Sequence, residues 1–90
     1  MEVVAEYFNL KIVELKSPTR LKNIALPRQI LMYLLRTELG IPLMEVGELL
    51  GGRDHTTIIH GVEKITNLLS INEDLRVDIS GIRQKLSQVN

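Results

Sequence analysis

The chain predicts an all-α domain of about six helices, and three observations carry that reading. Apolar residues recur at three- and four-residue spacing through most of the sequence. No stretch alternates apolar and polar residues with the period of two that a half-buried strand needs. Proline, glycine and capping residues then cut the helical pattern into short segments.

Each element has its own signal. Val3-Val4-Ala5-Glu6-Tyr7-Phe8 predicts a first short helix that ends near Asn9. Ile12-Val13-Glu14-Leu15 adds one turn, and Ser17-Pro18 stops it. Residues 17–26 read as a basic loop. Pro27 suits the first position of a helix, where its missing N–H has no partner to lose. Ile30, Leu31, Tyr33, Leu34, Leu35 and Leu39 make that helix the most buried one, with Gly40 as its stop. Pro42 opens the next, carrying Leu43, Val46, Leu49 and Leu50. Gly51-Gly52-Arg53 breaks it, and Asp54 caps a helix over about 54–70. Asn72 caps the last, with Glu73 and Asp74 placed to suit the helix dipole and Leu75, Ile79, Ile82 and Leu86 as its apolar stripe.

Composition narrows the functions. Ninety residues form one small domain, read as a single unit over 1–90. An apolar share of 44% suffices for one core. The absence of cysteine removes disulfide frameworks, cysteine zinc sites and thiol catalysis. Apolar runs are too short for a membrane span, and the first six residues lack the basic start of a signal peptide. A cytoplasmic domain is the expectation.

The eleven basic and eleven acidic residues cancel, but they are unevenly placed. Residues 17–36 hold Arg20, Lys22, Arg28 and Arg36 and no acid, whereas residues 37–52 hold Glu38, Glu45 and Glu48 and no base. The basic stretch is either a local site for an anionic partner or a solvated surface.

The helix from Asp54 carries the chemistry. At about 100° per residue, Ile58, Val62, Ile65 and Leu69 share one narrow face. Thr56, Thr57, His60, Glu63, Lys64 and Asn67 take the other side, while Asp54 and His55 stand at the open N-terminal end. With the preceding helix and the Gly-Gly break, residues of about 42–70 form a helix–turn–helix candidate. In that motif the start of the second helix meets base edges in the major groove. Short polar side chains such as Asp, His and Thr pair there with donors, acceptors and the thymine methyl. Residue type alone leaves other readings open. Asp54 caps any helix, the two histidines suit any surface, and Arg20 and Lys22 suit any loop. Metal binding by His55 and His60 is disfavoured, because five residues place them about 140° apart.

Gly51-Gly52-Arg53-Asp54-His55-Thr56-Thr57-Ile58-Ile59-His60 resembles the signature of the C-terminal DNA-binding domain of the bacterial replication initiator DnaA. Val4-Ala5-Glu6-Tyr7-Phe8, Leu15-Lys16-Ser17 and Pro27-Arg28-Gln29-Ile30-Leu31-Met32-Tyr33-Leu34 resemble the same family in order and spacing. The resemblance implies a TrpR-like helix–turn–helix that binds double-stranded DNA at the short boxes of a replication origin. It places base contacts on Asp54, His55, Thr56 and Thr57 in the major groove, and on Arg20 in the adjacent minor groove. It places phosphate contacts on Lys22, Arg28, Gln29, Arg36, Leu43 (through its backbone), His60 and Lys64, with Arg53 and Met44 in support. It further implies a bacterial, nucleoid-associated protein, a monomer on its box, with replication-regulatory proteins as possible further partners. No cofactor is expected in these residues, since the family's ATP and magnesium belong to another domain.

Three departures from the family stand out. Met44 replaces a usual proline. Pro18, Thr19 and Leu26 occupy positions that are often basic, which predicts weaker phosphate binding and a shallower salt slope. Arg36-Thr37-Glu38-Leu39 also varies the family's helix end. The neutral charge and thin basic loop leave a second reading, a helical protein–protein module that has lost specific DNA binding. A third, an enzyme using Asp54, His55 and His60, lacks a nucleophile paired with a base.

Overall fold

The computed structural model describes residues 1–88. It contains α1 (Glu2–Tyr7), α2 (Ile12–Lys16), α3 (Lys22–Thr37), α4 (Leu43–Leu49), α5 (His55–Leu69) and α6 (Glu73–Ser87), with no strand among the described residues. The all-α expectation holds. Both capping assignments hold as well: Asp54 accepts from the Thr57 N–H at 2.9 Å and Asn72 from the Leu75 N–H at 3.0 Å.

The core forms around α3. Ile30, Leu31, Met32, Leu34 and Leu35 are buried there and meet Leu15, Val46, Leu50, Ile58, Ile65, Ile79 and Ile82 from the other helices. Helix α5 packs mainly on α3, and closely: a Cβ on Gly61 would stand 2.5 Å from the Met32 sulfur. On the far side, α1 packs against α6. Tyr7 donates from its hydroxyl to Asp78 at 3.0 Å and lies against Gly81, while its ring meets Phe8 edge-on at 5.1 Å.

The structure corrects the third helix and the loop before it. Helix α3 starts at Lys22, five residues before Pro27, so the basic loop is residues 17–21 and not 17–26. Pro27 lies inside the helix, where it removes one backbone hydrogen bond. Tertiary packing outweighs that loss. Ile24, Pro27, Arg28 and Leu31 fall on one buried face at helical spacing, and the Leu21 carbonyl closes the first turn by accepting from Ile24 and Ala25. The start was hidden in the sequence because Leu21 has no capping side chain.

The far end of α3 is also shorter than expected. It stops at Thr37, which leaves Leu39 67% exposed and not in the core. Leu49 and Leu86 are likewise at the surface, and Leu50, just past α4, is the residue that turns fully inward.

Candidate nucleic-acid interface

Helices α4 and α5 and the break between them form the helix–turn–helix. The break is built from backbone geometry. Gly51 and Gly52 both have positive φ, +86° and +84°, in the left-handed region that glycine enters without penalty. The Gly47 carbonyl accepts from the Gly52 N–H and the Arg53 N–H, each at 3.0 Å, and so folds the turn back onto α4.

That turn delivers the start of α5 to the surface. Asp54, His55, Thr56 and Thr57 are all exposed, and so are His60 and Lys64 farther along the same helix. The Thr57 N–H, and then its hydroxyl, hold the Asp54 carboxyl below the ordinary aspartate range. Asp54 is therefore favoured in its ionised, acceptor-only form, with its cap made and its side chain exposed. The predicted base-contacting residues of α5 thus form one exposed polar end.

Beside it lies a hollow of about 270 Å³ between α3 and α5, lined by Arg28, Gln29, Arg53, Thr57, His60 and Lys64 together with Ala25, Met32 and Gly61. Arg28 is only 6% exposed, yet its Nη2 has no hydrogen-bond partner, and neither does the buried Oε1 of Gln29. Burial, and secondarily the like charge of Arg53, push the Arg28 pKa down; burial alone does so for Arg53. Neither guanidinium forms a salt bridge among the described residues. Arg28 with its orphaned buried Nη2, and Lys64, give the hollow a cationic, donor-bearing lining that can take an oxyanion.

Other predicted residues surround this centre. Lys22 shares a neighbouring hollow with Lys64, Ala25, Leu26 and Leu68. Arg20 is exposed at the tip of the 17–21 loop. Arg36 is placed apart, at the other end of α3, where it donates to the Ile41 carbonyl at 3.3 Å just ahead of α4. Leu43 begins α4, so its N–H has no partner inside the helix. Met44 is 71% exposed and shares a hollow with Glu48, Gly52, Arg53, Asp54 and His55.

One assignment changes in character. Arg28 was expected as a surface phosphate contact, but most of its guanidinium serves the fold: Nε donates to the Leu15 carbonyl and Nη1 to the Thr19 carbonyl, both at 2.9 Å. Only Nη2 remains for a partner. Glu48, read in the sequence only as part of the acidic 37–52 stretch, lies beside Asp54 and His55. It is an exposed acid on the reading side, and an acid at such a place carries no periodicity or motif that would mark it.

These features define a small helix–turn–helix domain whose second helix presents polar residues beside a cationic hollow. The family model described as "Bacterial dnaA protein helix-turn-helix" matches residues 1–65. The chain is 49% identical over 86 residues to the chromosomal replication initiator protein DnaA of Thermomicrobium roseum, covering 96% of this chain and 18% of that relative. The chain belongs to the bacterial DnaA helix-turn-helix family and is a DNA-binding domain of that class. It spans under a fifth of the relative's length. No helix among the described residues is long and apolar enough to cross a membrane.

Proposed function

We propose that this domain reads one asymmetric duplex box at a bacterial replication origin, and so anchors an initiator there, within the cytoplasm and on the nucleoid. Asp54, His55, Thr56 and Thr57 read base edges in the major groove. Asp54, ionised and acceptor-only, suits the cytosine amino group, and the threonines offer a methyl to thymine or a hydroxyl to an acceptor. Arg20 enters the neighbouring minor groove from the 17–21 loop.

The observation that carries the reading is the cationic hollow beside α5. A folded domain keeps a buried guanidinium such as that of Arg28 without a carboxylate only at a cost, and a DNA phosphate offsets that cost on binding. Arg28 Nη2, Gln29, His60 and Lys64 receive one phosphate there, and Lys22 a neighbouring one. Arg36 and the Leu43 N–H hold the backbone at the other end of the motif. Phosphate contacts of this kind fix register, and the base contacts then specify sequence. No cofactor takes part in this binding. ATP and magnesium chemistry belongs to the rest of an initiator.

Fluorescence anisotropy with alanine variants tests the reading. His55→Ala and Arg20→Ala are each expected to weaken binding to the box by about 1–3 kcal/mol while the domain stays folded. Unchanged affinity in both folded variants would remove these residues from the interface. Salt-independent behaviour with no binding to any duplex would favour the protein–protein alternative.

A further inference from the structure

We propose that Arg53 is a positioning residue that ties the loop carrying Arg20 to the helix–turn–helix, so that the minor-groove and major-groove readers act as one rigid unit. The inference rests on the assignment of Arg20 as a DNA contact, and deepens it.

Arg53 lies in the turn between α4 and α5, and its guanidinium reaches across to the loop before α3. Nη2 donates to the Ser17 carbonyl at 2.5 Å, and Nη1 donates to the Leu50 carbonyl and, at 3.5 Å, to the Lys16 carbonyl. One planar fork therefore joins the end of α4 to two consecutive carbonyls, that of Lys16 at the end of α2 and that of Ser17 at the start of the basic loop. A lysine offers a single point of attachment and cannot span them together.

An independent observation shows how closely the two segments approach. A Cβ built on Gly51 would stand 2.4 Å from the Lys16 carbonyl oxygen. The turn and the loop thus meet backbone to backbone, and the arginine fork closes the same seam. Arg28 secures the other side of the loop through the Leu15 and Thr19 carbonyls.

Arg20 sits between fixed points. The Thr19 carbonyl is held by Arg28, the Leu21 N–H is accepted by the Thr19 hydroxyl at 3.3 Å, and the Leu21 carbonyl opens α3. Its own side chain makes no hydrogen bond among the described residues and remains exposed. A free guanidinium on a tied backbone enters a groove at little ordering cost.

The test has two readouts on the 90-residue domain, using Arg53→Lys, with Arg53→Gln as a second variant should the first lower the folded fraction. In the DNA-free protein, hydrogen–deuterium exchange over residues 16–22 is expected to speed up about tenfold while residues 58–68 stay within about twofold of wild type. Unchanged exchange over 16–22 would overturn the proposal.

The second readout is a cycle with Arg20→Ala on the family's box duplex. Arg20→Ala and Arg53→Lys are each expected to weaken binding about tenfold or more, and the double variant by no more than about twofold beyond the larger single loss. Losses that multiply would mean that Arg53 acts independently of Arg20, and would also overturn it. If the wild-type domain shows no preference for the box, the DNA-box reading fails, and the exchange measurement still decides whether Arg53 holds the loop.

Discussion

The Arg53 carbonyl oxygen stands 2.0 Å from the point a Cβ would occupy on Gly47, and the Arg53 N–H donates to the Gly47 carbonyl at 3.0 Å. The turn of the helix–turn–helix therefore closes over a helical glycine, backbone against backbone. Nothing in that contact can swing aside, since both partners are main chain.

Gly47→Ala follows directly. Alanine is favoured over glycine in a helix by about 1 kcal/mol, so an open position would gain stability. Here the clash dominates, and a net loss of about 2–3 kcal/mol is expected in urea unfolding. A variant as stable as wild type would show that the turn relaxes freely.

Asp54 separates folding from reading. Asp54→Asn keeps a side-chain acceptor for the Thr57 N–H, so stability at neutral pH is expected to stay close to that of wild type in urea unfolding. Binding changes because an acceptor-only carboxylate becomes an amide that also donates. The check is a binding profile over single-base variants of the box. A change confined to one base pair is expected, and a uniform change across all positions would argue against base contact.

The same residue sets a pH response. Its folded-state pKa is depressed, so the stabilising contribution is fully present above the unfolded aspartate value, about 3.9. It is lost as pH falls from there through the folded value. Acid unfolding of wild type below about pH 4 is therefore expected to be steeper than that of Asp54→Asn. Parallel acid curves would count against the assignment.

Lys22 and Lys64 flank one hollow and are expected to act on phosphates without reading bases. Each alanine variant should weaken box and scrambled duplexes alike and reduce the slope of log K against log salt by about 1. An unchanged slope would place that lysine off the DNA.

Much of this was legible in the sequence, and the misses have physical causes. The recognition helix was legible because its N-cap, its glycine break and its one-sided apolar stripe agree in a short window. The start of α3 was not, because packing of Ile24 and Arg28 overrides both a missing cap and an internal proline. The site's outward polar residues followed from helical periodicity. The carbonyl-bridging roles of Arg28 and Arg53 did not, because charge in a sequence carries no sign of which carbonyls, up to 37 residues away, it will meet.

The most direct test of the central claim is anisotropy of the domain on a labelled duplex carrying the family's nine-base-pair box, beside a scrambled duplex, at low and physiological salt. The account predicts a preference for the box of about 10³ or more, with both affinities falling as salt rises. Equal binding to the two duplexes at every salt concentration would contradict it.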